Sequence, residues 1–282
     1  MRDLIIPVLL IAALSGCDII DQPKGDLAAP TPPGGGNVTR NVLLEDCTGF
    51  RCNNCPDAAT RAMQLKDIYG DRLVVVGVHM VNTFAEPLPP NFLTDFRTPA
   101  GAAYEQTFDI SALPTGLVNR KKINGSWLVS RYSWSTATAG MIDQAADIDL
   151  RIDTMSYNAS TNTVSGNITG VVLHPLSTAH NITIYLTEDH VIDWQINSQV
   201  TPPDVPDYEH RHVLRGALNS PWGGPFMAVT DQVGDTISLP FSYPLPGNVL
   251  QPDNCAIVAY VYSTSGADQY EVKQVTERKF VP

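Results

Sequence analysis

The arrangement that most restricts what this chain can become is Cys52-Asn53-Asn54-Cys55, set between a short apolar run at 41–47 and a segment of helical period at 52–69. Ala58, Ala62 and Leu65 fall on one stripe of that helix, as a core-facing side requires. Residues 73–80 follow as a nearly continuous β-branched run, the pattern of a buried strand. Strands alternating with helices specify an α/β layer fold. A helix over 99–108, strands over 115–119 and 126–130 around an Asn124-Gly125 turn, and a closing helix over 137–146 complete this part.

After about Asp147 the texture changes. Ile148, Leu150 and Ile152 alternate with charged residues, Ile182, Ile184 and Leu186 with polar ones, and 256–262 is rich in Val and Tyr. Turn clusters separate these runs and few helical periods occur, so an all-β sandwich is expected over 147–282. A segment from Ile196 to Phe226 interrupts it and reads as a long functional loop, a candidate surface for a ligand.

The N-terminus sets the compartment. Arg2 precedes an apolar run from Leu4 to Leu14, the length of a signal-peptide core and too short to span a bilayer. It ends in Leu14-Ser15-Gly16-Cys17, which resembles a bacterial lipobox. That resemblance implies cleavage before Cys17 and lipid on its thiol, a membrane partner held by acyl chains. Residues 17–37, with Pro30-Thr31-Pro32-Pro33-Gly34-Gly35-Gly36, have no apolar period and read as a tether. The next part then covers 38–146. Export puts Cys47, Cys52, Cys55 and Cys255 where disulfides persist. With 43% apolar residues the chain can build a core, and its net charge of −11 argues against nucleic acid as a partner. No phosphate-binding glycine loop or nucleophile elbow occurs, and no cofactor is expected.

A Cys-x-x-Cys pair at the start of a helix is a redox arrangement. Free N–H groups there favour a thiolate, so Cys52 is the expected nucleophile and Cys55 the resolving thiol, with Arg51 adding positive charge. Pro56 sits in the first turn, where a missing N–H costs little.

These residues give 41–124 a resemblance to a thioredoxin domain. The resemblance implies that Asp46, six residues before Cys52, is the buried carboxylate serving the resolving thiol. It also implies that Leu113-Pro114-Thr115 is the cis-proline segment packed against the disulfide. The chain departs from the family in its Asn-Asn pair, in Phe50-Arg51 where a Trp is usual, and in an insertion at 81–106. The whole mature chain also resembles the twenty-eight-kilodalton outer-membrane-protein family of lipoproteins. The residues carrying this are Asn41-Val42-Leu43-Leu44-Glu45-Asp46-Cys47-Thr48-Gly49, Cys52-Asn53-Asn54-Cys55-Pro56, His210-Arg211-His212-Val213-Leu214-Arg215 and Ile257-Val258-Ala259-Tyr260-Val261-Tyr262. That resemblance implies an outer-membrane location.

Other residues carry competing readings. Cys47 is either a small buried hydrophobe or half of a Cys47–Cys255 bridge. Its spacing to Cys52, Cys55 and Cys255 also fits an iron–sulfur site, against which export and the thioredoxin-like frame argue. His79 reads as a hydrogen-bonded strand-end residue. His210 and His212 could share a metal with Asp207 or Glu209, or anchor a loop. Trp194, Tyr208 and Trp222 are either core or a binding surface. Two functions follow. One is thiol–disulfide exchange with thiol- or disulfide-bearing proteins. The other is a non-catalytic binding or adhesion lipoprotein in which Cys52–Cys55 is a staple.

Overall fold

A computed structural model describes residues 38–81 and 83–281. The expected signal segment, the lipid site at Cys17 and the tether to residue 37 lie outside the described residues. The chain first forms β1 (Val42–Thr48), α1 (Cys55–Tyr69), β2 (Leu73–His79), α2 (Pro99–Thr107), β3 (Thr115–Val118), β4 (Leu128–Val129) and α3 (Trp134–Ile142). Strands follow: β5 (Ile148–Asn158), β6 (Thr163–Val172), β7 (His180–Glu188), β8 (Val191–Ile196), β9 (Asp204–His210), β10 (Val213–Ala217), β11 (Gly224–Met227), β12 (Thr236–Pro244), β13 (Cys255–Ser263) and β14 (Val272–Lys279).

Two expectations need correction. The helix expected from residue 52 begins at Cys55, because Cys52 to Cys55 is a turn closed by the Cys55 N–H on the Cys52 carbonyl at 3.2 Å. The expected loop from Ile196 to Phe226 holds β9, β10 and part of β11. Pro206 and the exposed Asp204 and Asp207 hide the strand character of β9, since charge and proline are how an edge strand is blunted.

One mixed sheet runs β14-β13-β7-β10-β2-β1-β3-β4, with β11 beside β7. β1 and β2 are parallel, from Val42 against Leu73 to Thr48 against His79. β3 is antiparallel to β1, and β4 pairs with β3. The Asn124-Gly125 turn between them has both residues at positive φ, which Asn and Gly tolerate best. Across β2, β10 joins through Val213 and Gly77, and β7, β13 and β14 continue antiparallel. The expected boundary near 146–147 therefore crosses a shared sheet, and the described residues form one compact unit.

The two faces of this sheet bury different cores. Leu43, Val74, Val76, Leu117, Tyr185, Val258 and Tyr260 pack with Tyr104 and Phe108 around α2. On the opposite face, Val42, Leu44, Leu73, Val75 and Val118 meet α1 and α3. Farther along that face Ile182, Ile184, Leu186, Ile257, Ala259 and Val261 pack on the small sheet β12-β6-β5, a sandwich contact. Helices and a second sheet thus cover successive parts of one face. A buried ion pair ties the parts together. Arg120 donates two 2.7 Å hydrogen bonds to Glu45, and Tyr185 and Tyr260 extend the network to β7 and β13.

Candidate functional site

The site grows from the end of β1. Alternation along this strand sends Cys47 to the α2 face and Asp46 to the α1 face. Asp46 is paired with Gly77 on β2 and Gly116 on β3, so neither ladder neighbour carries a side chain beside its carboxyl. A Cβ on Gly116 would lie 2.6 Å from the Trp134 indole nitrogen; only glycine lets α3 pack there. Asp46 is 3% exposed, and its Oδ1 has no hydrogen-bond partner. Burial pushes its pKa up to about 7, with Arg131 pulling weakly the other way.

Beyond Thr48 the chain turns through Gly49, whose carbonyl accepts from the Cys52 N–H at 2.9 Å, and reaches the cysteines. Cys52 and Cys55 are joined in a disulfide, and each is 2% exposed. Cys55 is the first helical residue, with Asn54 as N-cap and Pro56 behind it. Asp57 in the first turn is held below the usual carboxylate range by Arg61 and Arg131. Arg51 donates to the Glu86 carbonyl. The Leu113–Pro114 bond is cis, and the following Thr115 pairs with Cys47.

A hairpin of β8 and β9 roofs the pair. The Gln195 amide donates to the Cys52 carbonyl at 3.0 Å, Ile196 N–H to the Phe50 carbonyl at 2.9 Å, and Ser198 N–H to the Asn53 carbonyl at 2.9 Å. The Ser198 hydroxyl reaches the Asn53 carbonyl and the Asn54 amide oxygen. The hairpin sits on an aromatic seat: Phe50 contacts Phe92 and Phe96, and Trp194 leans on Phe92. Gln195 and Ser198 carry no local sequence signal for this contact, because it joins positions more than 140 residues apart.

Between α1 and β9 lies a cavity of about 450 Å3. Asp46, Cys55, His79, Gln195, Tyr208, His210 and His212 line it, and Cys52 does not. Burial holds the imidazoles neutral: His210 is pushed down to about 4, and His79 and His212 are lowered as well. Burial also pushes Tyr208 up to about 12. His79 corrects its expectation. It ends β2 and stacks on Phe96 at 4.5 Å, but neither ring nitrogen has a hydrogen-bond partner.

The remaining candidates separate. Cys47 and Cys255 are buried free thiols in different cores, so the considered bridge is not formed. Among the described residues, no group of three His, Cys, Asp or Glu side chains could hold a metal ion. Trp194, Tyr208 and Trp222 do not make one surface. Trp222 packs on Tyr104 and Tyr270, far along the fold from the hairpin seat of Trp194.

A mixed α/β fold dominated by strands, with a closed Cys-x-x-Cys disulfide beside a cavity, defines the class. The chain belongs to the outer membrane protein Omp28 family, whose profile matches residues 101–281. That membership assigns it to the cell envelope. HBP35 of Porphyromonas gingivalis is similar in fold, with a TM-score of 0.65 and 18% identity over 86% of this chain and 76% of that one. Protein AGR_C_4864 from Agrobacterium tumefaciens gives a TM-score of 0.50 and 11% identity over 87% and 96%. No curated protein matches the sequence.

Proposed function

We propose that this chain is a lipid-anchored envelope protein whose thioredoxin-like part performs thiol–disulfide exchange through Cys52 and Cys55. The thioredoxin-like reading is supported by the strand order β2-β1-β3-β4, with β2 parallel and β3 antiparallel to β1. The cysteine turn before α1 and the cis bond at Pro114 before β3 support the same reading. Lipid on Cys17 and the tether to residue 37 would hold this body at the outer membrane, with the β-rich part packed beside it.

Asp46 carries the exchange reading. A buried carboxyl with an unpartnered oxygen, as at Asp46 Oδ1, is costly to a fold, and a purely structural disulfide has no use for one. A carboxyl that titrates near neutrality beside a disulfide suits proton delivery to a departing thiolate. The second reading, a structural disulfide in a binding or adhesion protein, is favoured by the burial of both cysteines, each 2% exposed, and by the hairpin hydrogen-bonded to the Cys52 backbone.

Native-state reduction separates the two. The full chain in detergent is exposed to a glutathione buffer, and disulfide loss is followed alongside global unfolding across a urea series. Exchange predicts reduction without urea, faster than unfolding. A reduction rate that tracks unfolding at every urea concentration would refute exchange and leave the staple.

A further inference from the structure

We propose that low-molecular-weight thiols reach the disulfide through the cavity beside α1, and that Cys55, not Cys52, is the sulfur they attack. This rests on the exchange reading above and names its substrate class. The expected route for a protein substrate is closed: Gln195, Ile196 and Ser198 hydrogen-bond the backbone of Phe50, Cys52 and Asn53, where an incoming chain would lie. The open route leads elsewhere. The cavity is lined by Cys55 and omits Cys52, and its 450 Å3 falls within the range of about 300–1,000 Å3 typical of small-molecule sites. Thr60 and Gln64 on the exposed side of α1 border it, so a small solute enters without lifting the hairpin. Asp46 lines the same space, and burial keeps it protonated to about pH 7, so a proton source stands along the route.

The chemistry balances. A thiolate RS− bonds to Cys55 Sγ, the Cys52–Cys55 bond breaks, and Cys52 leaves with the electron pair and takes a proton. A second RS− attacks the bound R sulfur, and Cys55 leaves as a thiolate and is protonated. Two RSH become RSSR, the protein disulfide becomes two thiols, and the two protons pass to Cys52 and Cys55. Run backwards, Cys55 thiolate attacks a small disulfide and Cys52 resolves the adduct.

Glutathione disulfide is the probe, with full-length Cys52→Ser and Cys55→Ser proteins in detergent and adducts read by intact mass. Cys55 in the Cys52→Ser protein should gain glutathione at least about tenfold faster than Cys52 in the Cys55→Ser protein. Ala59→Trp, which fills the cavity, should slow the Cys55 adduct by about tenfold or more. If that variant does not fold, Thr60→Trp at the exposed rim takes its place. Faster reaction at Cys52, or no slowing by the blocking residue, overturns the route while exchange itself stands. If neither cysteine forms an adduct and the native wild-type disulfide resists glutathione, the exchange reading falls with it.

Discussion

Asp46 sits where ionisation is costly, and that makes its proton visible in stability. The unfolded chain releases it near pH 3.8 and the folded chain near 7. Between these values the native state holds the extra proton. Asp46 therefore stabilises the fold fully below pH 3.8, and the contribution declines by about 1.4 kcal/mol per unit until it is gone above 7. Asp46→Asn should gain stability relative to wild type steadily from pH 4 to 7, read from urea midpoints; a flat difference would contradict the raised pKa. His210 acts in the opposite sense. Its lowered pKa costs stability as pH falls from about 6.5 towards 4. Cys47 and Cys255 make a simpler case. Burial raises both thiols, Cys255 to about 12, so iodoacetamide should leave them unmodified in the native protein and label them at once in urea. At this scale the sequence is informative where periodicity speaks. Strand alternation separates Asp46 from Cys47, and the six-residue offset to Cys52 marks Asp46. Nothing local tells that Gly77 and Gly116 flank Asp46, or that His79 lacks a partner, because those are facts of neighbouring strands.

The elements around the site are legible in proportion to how local their causes are. β1, α1 and β2 declare themselves through apolar period and the cysteine turn. β9 does not, since Pro206 and its aspartates read as loop, and so the hairpin over the disulfide goes unseen. The tie between elements is testable at Glu45 and Arg120. Removing one partner of a fully buried pair leaves the other uncompensated, so Glu45→Ala should cost about 3–5 kcal/mol of unfolding free energy. A change below about 1 kcal/mol, typical of exposed pairs, would show that the pair contributes little. Gly116→Val should also destabilise, by about 1–3 kcal/mol, through displacement of the Trp134 ring that α3 packs against β3.

For the whole molecule, texture along the chain misleads about independence. Helical periods end near residue 147 and strands dominate afterwards, which reads as two modules. The pairing that joins β2 to β10 spans more than a hundred residues, and no local pattern announces it. Because both parts complete one sheet, chemical unfolding followed by tryptophan fluorescence and by backbone circular dichroism should give a single coincident transition. The exchange function asks more of this molecule than a stable sheet: the disulfide must break and re-form while the sheet persists. Its equilibrium reduction potential, measured on the full chain in detergent against glutathione under native conditions, tests that directly. The account predicts a value above about −300 mV, within reach of envelope thiols, and a value below it would mark the bond as a permanent structural one.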